Sequence, residues 1–231
     1  MKRNGGTIGV FPLVVEMVVS GFLFLFILVL NLVMGALGYL MEKDDYDPNA
    51  DLQKINKNPR KFQLGIMLAL VEHGSVIALT IMLFIAFSPY NIILGIVWII
   101  FRTGEGLIQY INEPNYWRLI EIARQYSLVS GAGKNSWSDL ARSIFKTKDT
   151  RFKFAMICWS IGTLAFSIVL VTSDVVPQII GWLGIVASVL VGFGTGIKLV
   201  KPRFKFEVVG ALFAMLFEVI IGGWLLFYSI I

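Results

Sequence analysis

The chain has 231 residues, 57% of them hydrophobic, and a mean hydropathy of +0.77. A soluble domain carries only about 45–50% apolar residues, so this composition excludes an ordinary water-soluble fold. The formal net charge of +5 does not indicate nucleic acid, because the basic residues gather in a few connecting segments. That grouping points to anionic lipid headgroups as the partner.

The first apolar run extends from about residue 10 to 40. It is too long for the ~7–15-residue core of a signal peptide, and no small-x-small cleavage site follows, so it reads as a retained span. The sequence predicts six spans, at 10–41, 62–88, 91–111, 153–173, 175–199 and 206–230. Backbone groups in lipid must be satisfied within the segment, so each is a helix. The turns Ser88-Pro89-Tyr90-Asn91 and 172–177 are short enough to make antiparallel hairpins. Ser173 or Asp174 is a candidate cap for the fifth span, with Pro177 in its first turn.

Orientation follows from Lys and Arg. The first long loop carries Lys43, Lys54, Lys57, Arg60 and Lys61. The second carries Arg118, Arg124, Lys134, Arg142, Lys146, Lys148, Arg151 and Lys153, and the third Lys198, Lys201, Arg203 and Lys205. Only Lys2 and Arg3 fall on the other side, and Arg102 lies within a span. The expected architecture is an all-α polytopic membrane helix bundle, one integral membrane domain over 1–231, multi-pass in the cell membrane. Both termini face outside and the three long loops face the cytoplasm.

The loop after the third span predicts two helices of its own. Pro114 opens one that continues to about Val129, with Leu119, Ile122, Ala123 and Tyr126 at helical spacing. A second begins at Ser136, where Ser136-Trp137-Ser138-Asp139 has the form of a capping box. Its apolar face of Trp137, Leu140, Ala141, Ile144 and Phe145 beside Arg142, Lys146 and Lys148 suits a helix lying on an anionic leaflet, or an ordinary connecting helix. The glycines before it do not make a phosphate loop. The template places a glycine where Leu128 stands and Ser or Thr where Asn135 stands.

Ionisable groups near the bilayer centre cost roughly 2.5–3.5 kcal/mol each on insertion scales, so those present need a reason. At ~1.5 Å rise per residue, Glu72 and His73 lie about 15 Å into the second span, Arg102 about 16 Å into the third, Glu105 a turn deeper, and Glu218 about 18 Å into the sixth. Arg102, Glu105 and Gln109 form one polar stripe. Glu72 and Glu218 are their expected neighbours. Three carboxylates against one arginine leave an excess of negative charge, to be met by a protonated His73, a protonated carboxyl or a bound cation. Glu72 and His73 are adjacent in sequence, so their side chains are expected to diverge by ~100°, a poor arrangement for one ion. No metal-binding or catalytic spacing occurs anywhere, and no cofactor is specified.

Gly184, Ser188, Gly192 and Gly196 recur every fourth residue in the fifth span, a ridge of small residues for helix packing. It serves packing within the chain, or a homo-oligomer or partner-subunit interface. The lone cysteine, Cys158, sits in an apolar run and reads as a small core residue.

Phe101-Arg102-Thr103-Gly104-Glu105 resembles the Arg-x-x-Glu element of a large prokaryotic six-span membrane-protein family catalogued only as a domain of unknown function. Val176-Pro177-Gln178-Ile179-Ile180-Gly181-Trp182-Leu183-Gly184 and the stretch from Phe217-Glu218-Val219 to Gly223-Trp224-Leu225 resemble that family's C-terminal motifs. The resemblance covers about residues 65–230 and implies six spans; it singles out Arg102, Glu105 and Glu218 and brings no activity. This chain departs from it in a more charged first loop and a more polar stretch after the third span. The function expected is binding or translocation of a small solute or proton at the mid-membrane Glu72, His73, Arg102, Glu105, Gln109 and Glu218. The alternative is a non-catalytic subunit or scaffold of a larger membrane complex. An intramembrane enzyme has no motif to support it.

Overall fold

A computed structural model describes residues 10–39, 47–173, 175–201 and 207–227. The described chain is helical: α1 (Val10–Ala36), α2 (Pro48–Lys57), α3 (Pro59–Phe87), α4 (Ile92–Tyr110), α5 (Glu113–Leu128), α6 (Ala132–Ser173), α7 (Gln178–Val200) and α8 (Glu207–Phe227). Among the described residues six helices are long and apolar enough to cross a membrane. They correspond to the six expected spans: α1, α3, α4, the second half of α6, α7 and α8.

Local chemistry sets most of the boundaries. The Asp47 carboxylate accepts from the backbone N–H groups of Asn49 and Ala50, with Pro48 at the first helical position of α2. Asn58 caps α3 through the N–H of Lys61, and Asn91 caps α4 through that of Leu94. Each cap satisfies donors that a helix start otherwise leaves open. The first span ends earlier than its apolar run. Gly38 takes a positive φ of 78°, and the Tyr39 N–H bonds back to the Met34 carbonyl at 3.0 Å, closing α1 in a left-handed C-terminal turn. That turn fixes where the Tyr39 side chain enters the bundle.

Two boundary expectations are corrected. The helix expected to begin at Ser136 begins at Ala132 and runs without a break into the fourth span as one 42-residue α6. Gly131, at φ 58°, is the only break, and no Gly or Pro interrupts the chain between Lys134 and Ile161. Ser136 is therefore inside a helix. At ~1.5 Å per residue α6 is about 63 Å long, twice the ~30 Å hydrocarbon core, so half of it stands beyond the membrane. For α7, Pro177 is the N-cap itself and α7 starts at Gln178 with no side-chain cap, while Ser173 closes α6. The proposed cap Asp174 lies outside the described residues, as do the termini 1–9 and 228–231.

The spans close into a ring. α1 packs on α3, α3 on α4, α4 on α6, α6 on α7, α7 on α8, and α8 back on α1. α2 and α5, with the first half of α6, cap one end of the ring. There are accordingly two buried cores. One fills the ring with Leu79, Leu83, Trp98, Phe166, Leu170, Phe217 and Ile221 among others. The second lies at the capped end, where Leu52, Ile55, Tyr116, Leu119, Ile122, Tyr126, Ala141 and Phe145 meet. Ala141, Ile144 and Phe145, the heart of the expected leaflet-facing stripe, are buried there against the other capping helices. Protein covers those three, while Trp137 is partly buried and Leu140 remains 38% exposed.

Candidate functional site

The sequence-predicted residues are all buried or partly buried, but they divide into two groups. Glu72 and His73, on α3, are 4% and 1% exposed. Their expected divergence is not what the structure has: the imidazole Nδ1 lies 2.5 Å from Glu72 Oε2. A swing of both side chains toward a shared interior closes the ~100° that separates adjacent helix positions. The other ring nitrogen, Nε2, lies 3.4 Å from Glu113 Oε1. With a carboxylate at each nitrogen, the ring is placed to donate twice, which is the geometry of an imidazolium.

Glu113, Tyr39 and Lys148 complete this group, and none was a sequence candidate. The Tyr39 hydroxyl donates to the Glu113 carboxylate, 2.6 Å from each oxygen. Lys148 Nζ donates to the Tyr39 hydroxyl, and to Glu113 Oε1 at 3.4 Å. Its ammonium also sits over the ring of Tyr39 at 4.0 Å and of Tyr116 at 3.6 Å, where ring quadrupoles attract a cation. Burial, and then the adjacent Glu113 charge, push the Tyr39 phenol well above its ordinary range, so it keeps its proton and acts as a donor. The Arg151 guanidinium bonds Asn112 Oδ1 at 2.9 Å and pins the junction at which Glu113 begins α5. A chain of contacts thus runs Glu72–His73–Glu113–Tyr39–Lys148, from mid-span to the capped end.

The second group lies at mid-ring. Arg102 and Glu105 of α4, each 3% exposed, pair with each other at 2.5 Å. The guanidinium lies 5.3 Å from the Trp98 ring and 5.8 Å from the Trp159 ring. Its Nε has no hydrogen-bond partner among the described residues. Its stem crosses α6 at Gly162, where a Cβ would come within 2.7 Å of Arg102 Cγ. Glu218, half-buried on α8, accepts from Trp159 Nε1 at 3.3 Å. Trp159 therefore stands between Arg102 and Glu218. Gln109 is buried on the same face of α4 as Arg102 and Glu105.

These contacts offset Glu72, Glu105 and Glu113, and leave Glu218, which accepts from Trp159, without an ion pair among the described residues. Lys148 enters the count with Glu113, and a doubly donating His73 offsets Glu72. Arg102 offsets Glu105. Among the described residues no group of three or more His, Cys, Asp or Glu side chains could hold a metal ion.

The small-residue ridge of α7 is spent largely within the chain. The Ser160 hydroxyl donates to the Ser188 carbonyl at 2.6 Å, and a Cβ at Gly192 would collide with that same hydroxyl. A Cβ at Gly184 would collide with Ser167 of α6 and come within 2.6 Å of the Phe217 ring of α8. Gly196, the fourth member, has no described atom within 4 Å of that position. Cys158 is a free thiol of intermediate burial on α6.

A signal for the missed residues was present. Glu113 continues the stripe of Arg102, Glu105 and Gln109 at the next helical step, four residues on. Lys148 falls four after Ile144 and seven after Ala141, on the apolar face of its helix. Of the lysines that mark the loops, Lys148 and Lys198 are buried.

A family model described as a domain of unknown function (DUF4386) matches residues 19–228. No curated protein and no solved structure matches the chain.

Proposed function

The chain belongs to the DUF4386 family, a domain of unknown function, and we propose that it is an integral membrane protein that takes up a proton from its capped end and holds or passes it at mid-membrane. The relay is Glu72–His73–Glu113–Tyr39–Lys148. The observation that supports this reading is the unbroken chain of polar contacts, with the only histidine between two carboxylates. Histidine is the side chain whose ordinary range lets it shuttle protons near neutrality. Ionisable groups within spans are retained at a cost, and such chains characterise proton pathways. Arg102, Glu105, Gln109 and Glu218 form the far end of the site in this reading. Beyond them the ring is filled with Leu83, Phe87, Trp98 and Phe166, so release on the other side requires that plug to open.

A second reading has its own support. Glu72, Arg102 and Glu105 are each at most 4% exposed and paired, as expected of a structural lock in a scaffold or complex subunit. Proton and cation uptake into liposomes separates the two, comparing the natural chain with His73→Gln, Glu113→Gln, Glu105→Gln and Glu218→Gln. The relay reading expects uptake by the natural chain that falls at least tenfold in the His73 and Glu113 variants with folding retained. Absence of uptake in every form, with lowered thermal stability in the variants, would leave the lock.

A further inference from the structure

The ionisable chain does not use the cavity beside it. About 450 Å³ of space opens at the capped end between the close of α1, the length of α2 and the start of α3. This is within the size range of small-molecule sites, roughly 300–1,000 Å³. Phe62, Tyr116 and Phe145 line it, and Lys54, Lys57 and Lys61 stand around it with one carboxylate, Asp51. Lys54 approaches Asp51 at 4.0 Å while remaining 76% exposed, so that pair leaves its ammonium largely in solvent. Among the described residues three lysines stand against one carboxylate there, which leaves the lining positive. The aromatic floor is itself ordered: the Phe62 and Tyr116 rings stack at 5.9 Å, and Phe145 meets Tyr116 edge-on at 6.0 Å.

Location adds the second half of the recognition. Leu37 and Gly38, at the end of the first span, also line the cavity. Immediately after Lys61 and Phe62, α3 turns an apolar exposed row outward: Leu64, Met67 and Val71 are 46%, 55% and 50% exposed. The cavity thus sits where the lysine-bearing end of the protein gives way to its lipid-facing surface. A cationic rim, an aromatic floor and an apolar approach along one helix match a molecule that is charged at one end and apolar at the other.

We propose that this cavity binds an anionic amphiphile, a phosphate or carboxylate carrying an acyl chain. The headgroup lies among Lys54, Lys57 and Lys61, and the chain runs over Phe62 and Tyr116 toward Leu64 and Met67. This goes beyond the proton reading and does not depend on it. The two meet at Tyr116, whose ring faces the cavity and carries the Lys148 ammonium. One ring therefore separates the cavity from the buried chain.

The test is titration calorimetry on the full chain in nanodiscs of zwitterionic lipid. Three probes are compared: a single-chain lysophosphatidic acid, the zwitterionic lysophosphatidylcholine of equal chain length, and inorganic phosphate. The proposal expects saturable binding of the first, at least tenfold tighter than the second, and no measurable binding of the third. Replacing Lys54, Lys57 and Lys61 together by Gln weakens it at least tenfold; these side chains are exposed, so folding is retained, and an unchanged unfolding temperature checks this. Phe62→Ala weakens it independently of charge. Equal binding by the triple variant would overturn the proposal. So would binding of inorganic phosphate as tight as that of the amphiphile, which would make this a site for a soluble anion. Absence of binding in the natural chain would overturn it as well.

Discussion

Glu113 and Lys148 are 2% and 5% exposed, and each is the other's principal compensation together with Tyr39 and His73. Removing one member of a buried pair strands the other's charge and costs about 3–5 kcal/mol, whereas replacing both by apolar residues is often near neutral. Lys148→Met should therefore lower the unfolding temperature sharply, and Lys148→Met with Glu113→Leu should restore most of it. A double variant no more stable than the single one, in a detergent melting assay, would show that the pair is not coupled. Tyr39→Phe removes only the hydroxyl that donates to Glu113 and accepts from Lys148. The expected loss is about 1–3 kcal/mol, the cost of leaving buried groups with an unmade hydrogen bond. At this scale the sequence located Glu72, His73, Arg102 and Glu105 by depth, because a charged residue in an apolar run is conspicuous. It did not locate Tyr39 or Lys148, because a tyrosine and a lysine at the end of a span are unremarkable until their burial is known.

Among the helices, close approach separates the glycines that matter from those that share only a spacing. α1 and α8 cross at Gly21 and Gly222. A Cβ on Gly21 would come within 2.5 Å of the Leu226 backbone N and 2.7 Å of the Gly222 carbonyl oxygen. Backbone cannot step aside as a side chain does, so Gly21→Ala should force the two helices apart at a cost of about 1–3 kcal/mol. Gly196→Ala, on the α7 ridge, meets nothing within 4 Å. It should be neutral or stabilising by up to about 1 kcal/mol through helix propensity. Melting temperatures of the two variants against the natural chain check this; equal destabilisation would mean that the α1–α8 crossing is not the tight one. The four-residue spacing in α7 was visible in sequence, and three of its members do pack within the chain. The Gly21–Gly222 contact joins positions about 200 residues apart, which no local pattern marks.

For the whole molecule, the ring of six spans with a helical cap at one end gives the protein two unlike ends. Lys54, Lys57 and Lys61 are at the capped end, and the Ser88–Asn91 turn is at the other. The positive-inside bias predicts that the capped end faces the cytoplasm. In a Cys158→Ala background, Lys57→Cys should react with a membrane-impermeant maleimide only in inverted vesicles, and Asn91→Cys only in intact cells. The reverse pattern would invert the topology and put the lysine-lined cavity outside.

The sequence by itself determined that the chain is helical, that six segments can cross a membrane, and which segments join them. Each of these depends on local composition: apolar run length, capping residues, and the lysine and arginine count of a loop. It also determined which spans carry a charge. Only the tertiary structure decided that α8 closes the ring between α1 and α7, that Glu72 turns toward His73 rather than Arg102, and that Glu113, Tyr39 and Lys148 complete the buried chain. The physical reason is that a buried charge constrains the sum of its neighbours, not their identity. Any carboxylate or ammonium brought within a few ångströms satisfies it, and which one arrives is fixed by how α4, α5 and α6 pack around α3.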